Sequence, residues 1–385
     1  MRAITRIQTA RKILFGEGSL ELLPEEIKLL SGKNIFLVMD EGFSRTPMAD
    51  QISVSIKQGG CPFILFNKVT PEPEPSVADE GADLARTEEC NLVIGVGGGS
   101  SMDVAKAVAV LVTNGGSAVD YLGVEKVSKP GLPTIMIPTT AGTGSEVTFT
   151  AVFTMRQARR KGGINSRFLY PDLALLDPEL TVPLPPDITA TTGMDALIHA
   201  LEGFTAVQAN PISDALAREA IATIGSNVRL AVAKGENRQA RSEMLMGSLL
   251  AGLTLSSAGV GACHALAYPL GAFFNVPHGL ANAVLLPHVM RYNLIGALAR
   301  YAEVAELLGA DTSGLTLRET AEKAIEQVSA LLEDLGVAKT LRELDIPESS
   351  IEEMAEAAMK VDRPIANNPR MMTKDSAVRI YRGAF

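Results

Sequence analysis

The sequence predicts an α/β N-terminal domain built on a parallel sheet, followed by an all-helical C-terminal domain. Three observations carry this. The chain has 385 residues, more than the roughly 250–300 at which a single core usually stops growing. Its first half alternates short β-rich runs with amphipathic stretches, the rhythm of strand–helix–strand units. That rhythm stops at Pro183-Leu-Pro-Pro186, after which only helical periodicity remains. The boundary is therefore placed between residues 1–182 and 183–385.

The elements follow in order. Residues 1–8 alternate like an edge strand. Strands are expected at 34–39, 63–66, 91–96, 134–137 and 173–176, where apolar and β-branched residues cluster. Between them, apolar residues at helical spacing mark helices at 21–30, 48–58, 77–88 and 102–112, which would cover both faces of the sheet. The second half reads as helices, among them 187–204, 213–224, 241–256, 318–335 and 351–360. A ligand is expected between the two domains, because open parallel sheets bind at the carboxyl ends of their strands.

Composition narrows the function classes. An apolar fraction of 46% with 21% charged residues is that of a soluble globular protein, and a formal charge of −9 argues against nucleic acid or an anionic membrane as partner. No apolar run approaches the twenty residues of a membrane span, and the N-terminus lacks a signal-peptide pattern. Cys61, Cys90 and Cys263 are odd in number and widely spaced, which points to a reducing, cytoplasmic setting.

Two loops suit a dinucleotide. Residues 91–96 run into Gly97-Gly-Gly-Ser100 and then a helix; glycines permit close backbone approach, and a helix start offers free N–H groups to a pyrophosphate. A tight strand-to-helix turn has the same composition. A second loop, Pro138-Thr-Thr-Ala-Gly-Thr-Gly-Ser-Glu146, follows another apolar strand and strengthens the Rossmann-like reading. The pattern departs from the usual G-x-G-x-x-G fingerprint with its acid about twenty positions later. The candidate ribose-binding carboxylate is instead Asp40, which ends an earlier strand. There it would bond the ribose hydroxyls and repel a 2′-phosphate, favouring NAD over NADP; an ordinary turn aspartate is the competing reading.

The helical half holds the densest chemistry. Only four histidines occur, and three of them lie between residues 199 and 278. Asp195 and His199 are four apart in a stretch of helical periodicity, so they share a face. With His264 and His278 they make a nitrogen and oxygen donor set suited to zinc, iron(II) or manganese, with room for a substrate oxygen. His288 reads as a packing residue. Cys263 adjoins His264 but points about 100° away on a helix, and reads as a buried thiol.

With these segments in view, the chain resembles the iron-containing (group III) alcohol dehydrogenases over nearly its full length. The resemblance rests on Gly97 to Lys106, Pro138 to Glu146, Asp177-Pro-Glu-Leu180, Gly193 to His199, His264 to Gly279 and Asn367-Asn-Pro-Arg370, in that order. It implies the two-domain plan shared with dehydroquinate synthase. It also implies a metal, iron(II) with zinc as the other candidate, held by Asp195, His199, His264 and His278. NAD contacts are implied for Asp40, Gly97, Gly98, Gly99, Ser100, Asp103, Thr139, Thr140, Thr143, Ser145 and, on a loop over the cofactor, Lys161. The implied activity is hydride exchange between NAD and a small primary alcohol or diol and its aldehyde, and the implied assembly is a homodimer through the N-terminal edge strand.

Three positions depart from the family pattern. Tyr268 replaces a histidine often found four residues after His264, which makes it the candidate proton relay; a packing residue that leaves the proton to water is the competing reading. Glu72 and Thr150 each stand where relatives often have asparagine. A tyrosine at the first position also occurs in relatives resembling hydroxyacid-oxoacid transhydrogenases, the alternative reading, in which tightly bound NAD cycles between two substrates. A dehydroquinate-synthase-like lyase would need a basic pocket, and residues 259–286 contain no Lys or Arg. Metal-free maleylacetate-reductase-like chemistry conflicts with the complete ligand set. Phe149, Phe153, Leu253, Phe273 and Phe274 are candidates for a small apolar substrate pocket, or for ordinary core positions.

Overall fold

The computed structural model describes residues 7–385. The chain divides into two compact units, one made of Thr9–Thr140 and Gly144–Val182, the other containing Ala141–Thr143 and Pro183–Phe385. Residues 1–6 of the expected N-terminal strand lie outside the described residues, and Ile7 and Gln8 are not in a strand.

In the first unit the elements in chain order are β1 (Lys12–Phe15), α1 (Leu23–Leu29), β2 (Ile35–Asp40), α2 (Pro47–Gln58), β3 (Phe63–Val69), α3 (Pro75–Thr87), β4 (Leu92–Gly97), α4 (Gly99–Asn114), β5 (Gly123–Val124), β6 (Thr134–Pro138), β7 (Thr150–Met155), β8 (Arg160–Asn165) and β9 (Leu173–Leu176). Six strands form a parallel sheet in the order β1-β9-β6-β4-β2-β3. Its central strands are continuous apolar runs because both faces are covered. The two-residue period then sorts the side chains. Phe36, Val38, Phe66 and Val93 join one core with Val104, Val108 and Leu111 of α4. Ile35, Leu37, Met39, Leu92 and Ile94 join the other with Ile27 of α1 and Ile52 and Ile56 of α2.

Two features escaped the strand rhythm. The sheet edge is β1, a four-residue strand paired with β9. A separate three-stranded sheet, β5-β8-β7, contains an antiparallel β7–β8 hairpin. Lys161 is the second residue of β8, so it stands in a strand and not in the loop expected for it. Phe153 is fully buried in the α4-side core, which makes it a packing residue and removes it from the candidate pocket.

In the second unit the elements are α5 (Pro186–Thr205), α6 (Pro211–Ala233), α7 (Arg238–Ala258), α8 (Ala262–Phe274), α9 (His278–Asn293), α10 (Leu298–Leu307), α11 (Leu317–Asp334), α12 (Ile351–Ala358), α13 (Asp362–Asn367) and α14 (Lys374–Gly383). No strand follows Leu176 among the described residues, and no single helix there is long and apolar enough to cross a membrane. Buried α5 is helical through the stretch that carries Asp195 and His199, as the spacing predicts.

Candidate metal centre and nucleotide loops

Three helices bring the metal candidates together. Asp195 and His199 project from one face of α5, and α8 presents His264 in its first turn. α8 ends at Asn275, whose φ of +57° is the left-handed conformation asparagine tolerates. Asn275 N–H and Val276 N–H return to the carbonyls of Gly271 and Leu270, and the chain turns into α9, whose first residue is His278. Gly279 lets α9 approach α5: a Cβ there would lie 2.4 Å from Thr191 O. No other residue type fits that contact without a shift of the helices.

One ligand atom from each of Asp195, His199 and His264 lies within 4.8 Å of the others, and all three residues are buried. His278 Nε2 is 3.8 Å from Asp195 Oδ1, and His264 Nε2 is 3.9 Å from the same oxygen. The rings of His199 and His264 stack at 4.6 Å. Separations of this size are too long for direct hydrogen bonds. They are close to the spacing of two donors that each stand about 2.0–2.2 Å from a shared ion. One carboxylate and three imidazoles fit a divalent transition metal.

The surroundings prepare each donor. His199 Nδ1–H donates to Gly142 O at 3.3 Å, leaving Nε2 with its lone pair. His264 Nδ1–H donates to Glu202 Oε2 at 2.6 Å, and the other carboxylate oxygen accepts Cys263 N–H, also at 2.6 Å. Asn282 Nδ2–H donates to Asp195 Oδ1 at 2.9 Å and stands 3.2 Å from His278 Nε2. Burial pushes the Asp195 pKa up, but the three histidines and Asn282 outweigh it and hold the carboxyl at about 2. Burial pushes His199 down, towards the neutral form that binds metal. Cys263 is buried, its Sγ–H directed to Asn282 O at 3.3 Å, and burial raises its pKa well above the ordinary value.

Glu202 and Asn282 were missed by the sequence reading, although the spacing held the signal. Glu202 is three residues after His199 and Asn282 four after His278, so each shares a helical face with a candidate ligand. Asn367 and Asn368, quoted only as a motif, tie down the entry to α8. Asn367 Nδ2–H donates to Ala258 O and Val260 O, and Asn368 Oδ1 accepts Ala262 N–H at 3.3 Å. Tyr268, one turn after His264, is half-buried with its ring 6.1 Å from that of His278.

In the α/β unit, β4 ends in Gly97 at φ +139°, where a Cβ would lie 2.7 Å from Ser101 Oγ and 3.3 Å from Asp40 Oδ2. Asp40 Oδ1 accepts Phe43 N–H at 2.8 Å. Gly98 caps α4, and Gly99 and Ser100 open it, so their N–H groups belong to the unsatisfied first turn. Thr139 N–H donates to Gly97 O at 3.0 Å, and Thr140 lies 3.5 Å from the Cβ position of Gly98. The two loops therefore sit side by side. Thr143 belongs to the helical unit, half-buried.

Asp103 of α4 and Ser145 of the second loop are bonded to each other. Asp103 Oδ1 accepts Ser145 Oγ–H at 2.5 Å and its Oδ2 accepts Val152 N–H at 2.8 Å. Buried Lys106 Nζ donates to Ser145 Oγ at 2.6 Å and to Thr150 O at 2.5 Å. Glu146 is buried too, with one oxygen lacking a hydrogen-bond partner, and burial pushes its pKa up to about 7.

Comparison with known proteins agrees with this architecture. Residues 10–178 match the family described as iron-containing alcohol dehydrogenase, and residues 189–385 match the C-terminal part of the Fe-containing alcohol dehydrogenase family. The chain is 41% identical over 373 residues to long-chain-alcohol dehydrogenase 1 of Geobacillus thermodenitrificans, covering 96% of this chain and 94% of that protein. A solved 1,3-propanediol oxidoreductase superposes with a TM-score of 0.97 at 38% identity, covering all of both chains. The sulfoacetaldehyde reductase of Bifidobacterium kashiwanohense, solved in complex with NAD+, gives 0.89 at 30% identity, covering 100% of this chain and 99% of that one. With both halves matched in order and Asp195, His199, His264 and His278 all within the matched residues, the chain belongs to the iron-containing alcohol dehydrogenase family.

Proposed function

We propose that the chain catalyses reversible hydride transfer between NAD and a small, neutral primary alcohol or diol, with iron(II) bound by Asp195, His199, His264 and His278. The convergence of these four side chains carries the proposal. A bound divalent ion supplies the positive charge that eases loss of the hydroxyl proton, and the nicotinamide supplies the hydride acceptor. Glu202 fixes the His264 tautomer and Asn282 orients Asp195, so the donors are set before the ion arrives. Gly97 to Ser100, Thr139 and Thr140 receive the pyrophosphate on backbone N–H groups and hydroxyls, and Asp40 accepts from the ribose. Asp103 and Lys106 of α4 fasten Ser145 of the second loop. Tyr268 accepts and passes on the proton released from the substrate hydroxyl, the task relatives often give to histidine.

Charge favours a neutral substrate. With a divalent ion offsetting Asp195 and, behind His264, Glu202, residues 259–286 add no Lys or Arg to pair with a second anionic group of a substrate. This weighs against the transhydrogenase reading, whose hydroxyacid and oxoacid substrates are anionic. The NAD+ complex of the sulfoacetaldehyde reductase supports the cofactor, and the propanediol oxidoreductase supports a small alcohol or diol as substrate.

The test is NADH formation by protein loaded anaerobically with iron(II), offered short primary alcohols and 1,3-diols with and without chelator. Chelator-sensitive turnover that depends on added NAD+ is expected. Turnover of a hydroxyacid with an oxoacid, without added NAD+, refutes the proposal in favour of the transhydrogenase.

A further inference from the structure

We infer that Glu72 sets this chain's choice between NAD and NADP, by capping a basic β-hairpin that would otherwise favour a 2′-phosphate; the inference rests on the nucleotide-binding reading of the α/β unit. The segment Arg156-Gln-Ala-Arg-Arg-Lys161, joining β7 to β8, carries four cations in six residues of a chain whose formal charge is −9. Arg156, Arg159 and Arg160 are exposed. Lys161 is different: its side chain is 3% exposed, and its Nζ lies 2.5 Å from Glu72 Oε2.

The hairpin closes on residues 72–73 through three further bonds. Thr154 Oγ1–H donates to Glu72 Oε2 at 2.9 Å, Thr154 N–H to Pro73 O at 2.9 Å, and Arg156 Nη2–H to Glu72 O at 3.5 Å. Glu72 makes these contacts from φ +55°, a left-handed conformation that costs a non-glycine residue energy. The surrounding bonds hold it there.

Its place in the sheet gives the arrangement a function. Glu72 follows β3 by three residues, and Val69 at the end of β3 is the register partner of Asp40 at the end of β2. Two carboxylates thus stand at the carboxyl ends of neighbouring strands, the edge where a parallel sheet receives its ligand. Asp40 also borders the Gly97 turn. NAD presents a ribose hydroxyl to this edge, which a carboxylate accepts. NADP presents a phosphate, which carboxylates repel and guanidinium and ammonium groups attract. With Glu72 in place, the Lys161 charge is met within the protein and the edge keeps two carboxylates against a phosphate. Without it, the same edge has one carboxylate fewer and the hairpin's cations have lost a counter-charge.

The experiment titrates NADH and NADPH fluorescence with metal-loaded full-length protein and takes the ratio of the two dissociation constants, NADPH over NADH. Glu72→Gln is expected to lower that ratio tenfold or more. Lys161→Gln is expected to raise it. A merely structural role for Glu72 would weaken both cofactors alike and leave the ratio unmoved, which overturns the inference. So does a wild-type protein that prefers NADPH. If Glu72→Gln fails to fold, an unchanged ratio in Lys161→Gln overturns it equally. Wild-type protein that binds neither dinucleotide refutes the proposed function itself, a result distinct from binding with an unmoved ratio.

Discussion

Replacing Glu202 with glutamine tests whether the metal donors are set in advance by their neighbours. The carboxylate receives two buried N–H groups, one on each oxygen: His264 Nδ1 and Cys263 N, both at 2.6 Å. Glutamine offers one acceptor oxygen and one NH2 group, so one of those donors must face another donor. An unmet buried donor costs about 1–3 kcal/mol. The escape open to His264, moving its proton to Nε2, removes the lone pair that an ion needs. Either route lowers metal affinity, by about 10–100-fold, equivalent to about 1.4–2.8 kcal/mol. The assay is competition with a chromophoric chelator for iron(II) and zinc(II), run beside thermal unfolding of the metal-free proteins. Metal affinity within twofold of wild type, together with a lowered melting temperature, would refute the reasoning and leave Glu202 as an anchor for the α8 backbone alone.

Three other outcomes are expected. The folded pKa of Glu146, about 7, lies above its ordinary 4.5, so the folded chain keeps a proton that the unfolded chain releases, and stability falls as pH rises from about 5 to 7. Glu146→Gln should therefore gain up to about 3 kcal/mol at pH 8 and almost nothing at pH 4; denaturant melts giving equal gains at both pH values would contradict this. Gly279→Ala places a methyl 2.4 Å from Thr191 O, so α9 must move; a loss of about 1–3 kcal/mol in stability is expected, with at least tenfold weaker metal binding by the chelator assay. Tyr268→Phe should keep metal affinity while lowering kcat by about tenfold or more, and an unchanged kcat would assign the proton to water.

The clustering of Asp195, His199 and His264 was legible because α5 is a regular buried helix, where a spacing of four fixes a shared face, and because few histidines competed for attention. Glu202 and Asn282 lay on the same faces but look like ordinary helix residues until a partner is seen. The central strands were legible as unbroken apolar runs, a direct result of burial on both faces. The β7–β8 hairpin was not, because its left-handed turn position is filled by Arg159 at φ +47° and not by the glycine or asparagine that usually marks such a turn. β1 is four residues long and only partly buried, so no periodicity could develop. Lys161 was placed on a loop by the family resemblance, and here it is the second residue of β8. Asp103 and Ser145 were named from a motif, which records their proximity to the nucleotide loops without distinguishing a contact from a support.

The thiols bear on how the protein should be handled. All three cysteines are buried, burial pushes Cys90 up to about 11, and Cys263 is raised as well. Since the thiolate is the form that reacts, alkylating reagents and mild oxidants should find little to attack in the native chain. Under the proposed function, activity lost on exposure to air would then report on a bound iron(II) and not on the thiols. The remedy would be an oxygen-free vessel and fresh ferrous salt, with no need for reductant to protect the buried thiols.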